Sequence, residues 1–222
     1  MVYVRGPYNV MNEAEQWIRI SDGCPNGCPF CYCPGDLEFY GIPQIERCLV
    51  KILDMNLLSR VGSNPVGSNA LEVIKELGSR RVDGKVVYFE LICGVDWRFL
   101  SWDVALALKK ARFLNVRLAW DWGFSDQKKI RAAVDFLAKA GFRRDLLSVF
   151  IICNWKVSFE ECCRKLDLLK VWGVKVNDCY FDNQTMPNVW PLYWKWEDIK
   201  KFRSMCRKHN HLIRFRIDPS VR

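Results

Sequence analysis

Short runs of Val, Ile, Leu and aromatic residues alternate along the chain with longer amphipathic stretches. "WIRI" at 17–20, "LVKILDM" at 49–55, "KVVYFELIC" at 85–93, "VRLAWDW" at 116–122, "LLSVFIICNW" at 146–155 and "VKVNDCYF" at 174–181 have the length and β-branched content of strands. Residues 43–58 also fit a single helix. Between these runs, "ALEVIKELGSRR", "WDVALALKKARFLN", "DQKKIRAAVDFLAKAG" and "FEECCRKLDLLKVWG" read as helices. In the third of them, Ile130, Ala133, Val134 and Leu137 share one face. Asn69, Ser101, Ser125 and Ser158 stand where N-cap oxygens belong, Glu161 completes a capping-box pattern, and Gly141 closes the third helix. A loop rich in Trp, Pro and Asn leads to a last helix, "EDIKKFRSMCRKHN", and to "LIRFRI" at 212–217, a candidate seventh strand.

Strands alternating with helices predict parallel β/α units. Six units within 222 residues predict an α/β fold: a partial (β/α)6 TIM-like barrel of parallel strands, forming a single domain over 1–222. In such a barrel the chemistry sits at the C-terminal ends of the strands. Those ends read Asp22-Gly23, Asp54-Met55-Asn56, Cys93 to Arg98, Asp121-Trp122, Asn154-Trp155 and Asp178.

Composition narrows the class. Half of the residues are hydrophobic, enough for a substantial core. No apolar run reaches membrane-spanning length and the N-terminus lacks a signal-peptide layout, so a cytoplasmic protein without membrane contact is expected. The cysteines number eleven, an odd count with seven of them scattered, which reads as reduced thiols rather than a disulfide framework. The net charge of +9 is compatible with a nucleic acid or another polyanion as partner. A solvated basic face is the plainer account, because the basic residues come in short pieces such as "KKIR" at 128–131.

The densest chemistry is "CPNGCPFCYCPG", from Cys24 to Gly35, directly after the first strand. Structural zinc sites draw two Cys or His pairs from separate segments, and no matching second pair is present. A redox pair Cys28-Pro-Phe-Cys31 would leave Cys24 and Cys33 without a role. Iron–sulfur clusters do take thiolates from tight loops, and three thiolates on a four-iron cube leave one iron open to bind a ligand.

Cys24-x3-Cys28-x2-Cys31, with Phe30 before the last cysteine and after the first strand of a β/α barrel, resembles the radical S-adenosylmethionine (SAM) superfamily. The resemblance implies a [4Fe–4S] cluster on Cys24, Cys28 and Cys31, with SAM held at the open iron through its amino and carboxylate groups. It further implies an external electron donor, reductive cleavage of SAM, and a 5′-deoxyadenosyl radical that takes a hydrogen atom from a substrate. Cys33 has no place in the three-ligand pattern.

The family's "GGE"-like turn after the second strand, which holds the methionine amine, is absent here. Its positional equivalent is Asp54-Met55-Asn56. In the next turn Gly94 permits close backbone approach, Arg98 is placed to bind the SAM carboxylate, and Asp96 to bind ribose or substrate. Asp121 and Asn154 are SAM candidates by position. "LDMNLL", "GVDWRFL" and "AWDWG" segments also resemble a group of small, barrel-only members. Aromatics at strand ends (Trp97, Trp120, Trp122, Trp155) and in the late loop (Trp190, Tyr193, Trp194, Trp196) could stack a base, line an apolar pocket or simply pack. The loop 182–194 is the expected partial cover. Three functions stay open: a radical SAM enzyme acting on a nucleic acid or nucleoside, one modifying a peptide or protein (glycyl-radical activation included), and a non-enzymatic iron–sulfur redox or regulatory protein.

Overall fold

The computed structural model describes residues 5–60, 69–181 and 193–215. The chain divides into two compact units. One runs up to Arg117 and includes Phe136–Phe142; the other comprises Leu118–Asp135 and Arg143 onward. The architecture is mixed α/β with parallel-strand sheets.

In the first unit, β1 (Tyr8–Met11), β2 (Gln16–Arg19), β3 (Ser21–Asp22), β4 (Glu38–Phe39) and β5 (Leu49–Ile52) precede helix α1 (Ala70–Ser79). Then come β6 (Arg81–Val82), β7 (Lys85–Val86), β8 (Tyr88–Leu91) and α2 (Trp102–Lys110). The main sheet has the order β1-β2-β5-β8. β1 is antiparallel to β2, whereas β2, β5 and β8 run parallel, with Ile18 opposite Ile52 and Ile52 opposite Leu91. Ile18, Val50, Ile52, Phe89 and Leu91 are buried, as β-branched and aromatic residues on a covered sheet should be.

α1 begins where its cap predicts: the Asn69 side chain accepts from the Leu71 amide at 2.9 Å. It buries Ala70, Val73, Ile74 and Leu77 and packs on α2, whose N-terminus is capped by Ser101 through the Val104 amide at 3.3 Å. The stretch 85–93 is not one strand. Asp83 and Gly84, both at positive φ, turn β6 into β7 with Val82 opposite Lys85, and β8 starts afresh at Tyr88. Residues 43–58 do not form one helix either: β5 occupies 49–52 and a single 3-10 turn follows at 57–60.

The chain continues through β9 (Arg117–Ala119), α3 (Gln127–Lys139), β10 (Ser148–Cys153), α4 (Phe159–Trp172), β11 (Lys175–Tyr180) and α5 (Trp196–Phe215), all within the second unit except Arg117 and the end of α3 from Phe136. The second unit's sheet has the order β9-β10-β11, and β10 pairs parallel with β11 from Ser148↔Lys175 to Cys153↔Tyr180. Ser158 caps α4 by accepting from the Glu161 amide at 3.1 Å, and Gly173 ends it in the left-handed conformation. The capping box stays half made, because the Glu161 carboxylate accepts from the Phe124 amide instead. That amide belongs to a 3-10 turn at Phe124–Asp126 leading into α3, so Ser125 does not cap that helix. Residues 212–215 are the last turn of α5 rather than a strand, and 216–217 lie outside the described residues. Among the described residues no helix is long and apolar enough to cross a membrane.

Candidate cluster and cofactor site

β3 pairs antiparallel with β4, Ser21 opposite Phe39 and Asp22 opposite Glu38, so the segment between them is a closed loop. Gly23, at φ +89°, starts it. A Cβ there would lie 1.9 Å from the Asp36 carbonyl oxygen, so only glycine fits. Cys24 N–H donates to the Pro34 carbonyl at 2.9 Å and Cys31 N–H to the Cys28 carbonyl at 2.9 Å. These bonds hold four thiols, each partly exposed, within one small loop at the end of the first parallel strand.

The sulfurs differ in hydrogen-bond role. The Cys24 sulfur accepts from Asn56 Nδ2 at 3.3 Å. The Cys31 sulfur accepts from the Cys33 amide at 3.4 Å. Near Cys28 stands the Arg98 guanidinium, whose charge the cysteine feels electrostatically. Cys33, by contrast, directs its S–H to the Pro34 carbonyl at 3.6 Å. N–H donors favour a thiolate sulfur, whereas an S–H aimed at a carbonyl is a protonated thiol's contact.

Asp96 organises this end of the unit. Its carboxylate caps the 3-10 turn Trp97–Phe99 and accepts from the Arg98 amide (3.1 Å), Arg98 Nε (2.8 Å) and Nη2 (3.0 Å), Asn26 Nδ2 (2.7 Å) and Asn56 Nδ2 (3.0 Å). Burial works against the charge, but the donors from Arg98 and Asn26 outweigh it and hold the carboxyl below the usual carboxylate range. The cysteine loop, the turn after β5 and the turn after β8 are thereby tied to one carboxylate. Because Asn56 faces both a carboxylate and a sulfur with its amino group, its amide orientation is fixed. Its Oδ1 is buried and has no partner among the described residues. A buried acceptor left open is costly.

Asp54 is 1% exposed and accepts from the Ile20 amide at 2.8 Å and from the Ser21 hydroxyl, so it fastens β5 to the start of the loop strand. Gly94, at φ +89°, sits in the turn after β8, with its N–H on the Leu91 carbonyl at 3.2 Å. Beside it Cys93 directs its S–H to Leu53 O at 3.7 Å and lies 3.7 Å from Met55 Sδ. Burial pushes that thiol up to about 11, with Asp54 adding to the effect. Asn56, Asp96 and Arg98 thus meet at the cysteines, with Asp54 and Gly94 in the neighbouring turns.

Asp121 and Asn154 belong to the second unit. Asn154, at φ +58° and 1% exposed, spends its amide on the chain. Oδ1 accepts from the amides of Tyr193 (3.1 Å) and Trp194 (3.0 Å), and Nδ2 donates to Tyr180 Oη (3.0 Å) and Phe181 O (3.3 Å). Asp121 lies next to buried Lys165, whose Nζ donates to the carbonyls of Trp120 (3.1 Å) and Trp122 (2.5 Å). Trp120 is core, stacked on Trp172 at 5.8 Å, and Trp194 is buried with its indole N–H on Val157 O at 2.8 Å. Trp155, Phe181 and Tyr193 form a three-ring cluster at the ends of β10 and β11. Trp190 and most of the loop 182–194 lie outside the described residues.

Sequence reasoning missed Asn26 and Lys165. Asn26 carried a signal, a Pro-Asn-Gly turn inside the cysteine loop; Lys165 is one charged residue within an amphipathic helix like many others. Among the described residues no three His, Cys, Asp or Glu side chains converge to hold one metal ion. The thiols of Cys24, Cys28 and Cys31 are each partly exposed within one loop, and tight loops of this kind supply thiolates to iron–sulfur clusters.

Neither a family model nor a curated protein matches the chain. Among solved structures the chain is similar to a radical S-adenosylmethionine methyltransferase, TsrM, from Kitasatospora setae, determined with cobalamin and a [4Fe–4S] cluster bound. The TM-score is 0.55 at 13% identity, over 74% of this chain and 36% of that one, so the likeness is one of fold and spans little more than a third of TsrM.

Proposed function

We propose that the chain is a radical SAM enzyme core whose Cys24, Cys28 and Cys31 hold a [4Fe–4S] cluster. The observation that carries this reading is the loop itself: Cys24, Cys28 and Cys31 are partly exposed within one closed turn at the end of a parallel strand, with N–H donors on the sulfurs of Cys24 and Cys31. The fold likeness to TsrM supports it. On this reading the six parallel strands belong to an open (β/α)6 barrel, with the loop at their C-terminal ends.

When bound, the cluster and SAM would supply a one-electron cleavage of the sulfonium and a hydrogen-abstracting radical. The chain's own residues position and shield. Asn56 Oδ1 offers the acceptor for the SAM ammonium, taking the place of the absent acidic turn. Arg98 brings positive charge for the carboxylate, and Gly94 leaves room for the ligand's approach. Asp54 holds the strand ends in register, and Asp96 orders Asn26, Asn56 and Arg98. Asp121 is carried as a candidate at the second unit's strand ends, whereas Asn154 acts there as a brace. The net charge of +9 is compatible with a polyanionic nucleic-acid substrate.

The test is anaerobic reconstitution followed by dithionite and SAM. Wild-type protein should release 5′-deoxyadenosine and methionine. A protein that binds four irons and leaves SAM intact would instead be an iron–sulfur redox or regulatory protein. A gel shift with bulk tRNA that weakens steeply with salt would support the nucleic-acid substrate; no shift at low salt would remove it.

A further inference from the structure

The Cys24 sulfur has its N–H donor on the Asn56 side chain, the Arg98 guanidinium acts on Cys28 through its charge, and one acceptor, Asp96, fixes both side chains. We propose that Asn56 donates a hydrogen bond to the Cys24 thiolate of the cluster, that Arg98 sets a positive charge beside the cysteine loop, that Asp96 is the positioning residue of both, and that this trio sets the potential at which the cluster is reduced. The proposal rests on the cluster reading above. Reduction adds one electron from an external one-electron donor; no bond forms and no proton moves. The added negative charge spreads over irons and sulfurs, so an N–H donor on a sulfur stabilises the reduced state more than the oxidised one and raises the potential.

The geometry suits this role. Asn56 is buried, so its N–H···S bond to Cys24 is poorly screened by water. Arg98 adds a full positive charge beside Cys28, and its fork on Asp96 limits where that charge can sit. Asn26, from inside the cysteine loop, binds the same Asp96 carboxylate and keeps the loop in register with both side chains. The Cys31 sulfur takes its donor from the backbone of Cys33, which no side-chain substitution removes. Cys33→Ser is therefore a built-in control.

The experiment is a redox titration of reconstituted protein, followed by the visible absorption of the oxidised cluster and the EPR signal of the reduced one. Asn56→Leu and Arg98→Gln should each retain four irons and shift the reduction equilibrium about tenfold toward the oxidised form, about 59 mV lower for one electron. Arg98→Lys should recover most of its shift, since the charge returns without the fork. Cys33→Ser should match wild type. Unchanged potentials in both Asn56→Leu and Arg98→Gln would overturn the proposal and leave the cluster reading intact. A wild-type chain that takes up no iron would overturn both. Should Asn56→Leu lose its fold, Arg98→Gln, at a half-exposed position, decides the matter alone.

Discussion

The two units use the same residue types for opposite ends. At the cysteine loop the thiols are partly exposed, Asn56 is left with an open acceptor, and the turns converge on one carboxylate. In the second unit Cys153, Cys162 and Cys206 are buried, Cys162 directs its S–H to the Ile152 carbonyl at 3.8 Å, and Asn154 has no capacity left. Burial pushes the Cys153 and Cys162 thiols up to about 12. A polar residue at a strand end is thus not a site by position. It becomes one when its hydrogen-bonding capacity exceeds what the chain uses.

The contrast can be broken most sharply at the cysteines. Cys24→Ala, Cys28→Ala and Cys31→Ala should each abolish retention of about four irons per chain after anaerobic reconstitution, whereas Cys33→Ala and Cys162→Ala should keep it. Full iron content in Cys28→Ala would remove the distinction. In the metal-free protein, iodoacetamide should label the loop thiols at least about a hundredfold faster than Cys153 and Cys162, since buried thiols of raised pKa are inert. Peptide mapping reads this, and equal rates would mean that the second unit opens as readily as the loop.

Smaller effects sharpen the comparison through stability. Asn154→Ala strands two amides, a carbonyl and a hydroxyl and leaves a β-carbon at positive φ, so about 3–5 kcal/mol should be lost in urea unfolding. Asn56→Ala should cost about 1 kcal/mol, because Asp96 keeps its other donors. Equal losses would place Asn56 among the braces. Lys165→Met should cost about 1–3 kcal/mol by stranding the Trp120 and Trp122 carbonyls. Burial lowers the Lys165 pKa in the folded state, so the unfolded chain holds that proton more tightly. Stability from this group therefore rises as pH climbs toward the unfolded value of about 10.4. Wild type should gain on Lys165→Met between pH 7 and pH 10; a constant difference would show that Lys165 does not titrate there.

Much of this was legible beforehand. β5, β8, β9, β10 and β11 lie within the apolar runs and β2 starts one residue before its run, because β-branched residues in covered sheets leave a continuous signal. The caps at Asn69, Ser101 and Ser158 are local, i to i+2 or i+3 contacts, and they form. Non-local partners were not readable. The Glu161 carboxylate reaches Phe124 across 37 positions, which undid the capping box. The Asp83-Gly84 hairpin is legible in its dipeptide, but its second strand, Lys85–Val86, merges with β8 into one apolar run. At the site the cysteine spacing pointed to Cys24, Cys28 and Cys31, but which neighbours would donate to their sulfurs depended on contacts 32 and 70 positions apart, Asn56 with Cys24 and Asn26 with Asp96.

The central claim is a cube held by three thiolates with one iron left for SAM. Mössbauer spectroscopy of protein reconstituted with 57Fe, recorded with and without SAM, tests it most directly. The account predicts that one iron in four shifts its isomer shift and quadrupole splitting when SAM is added while the other three stay put. Four irons that all remain unchanged at saturating SAM would contradict it.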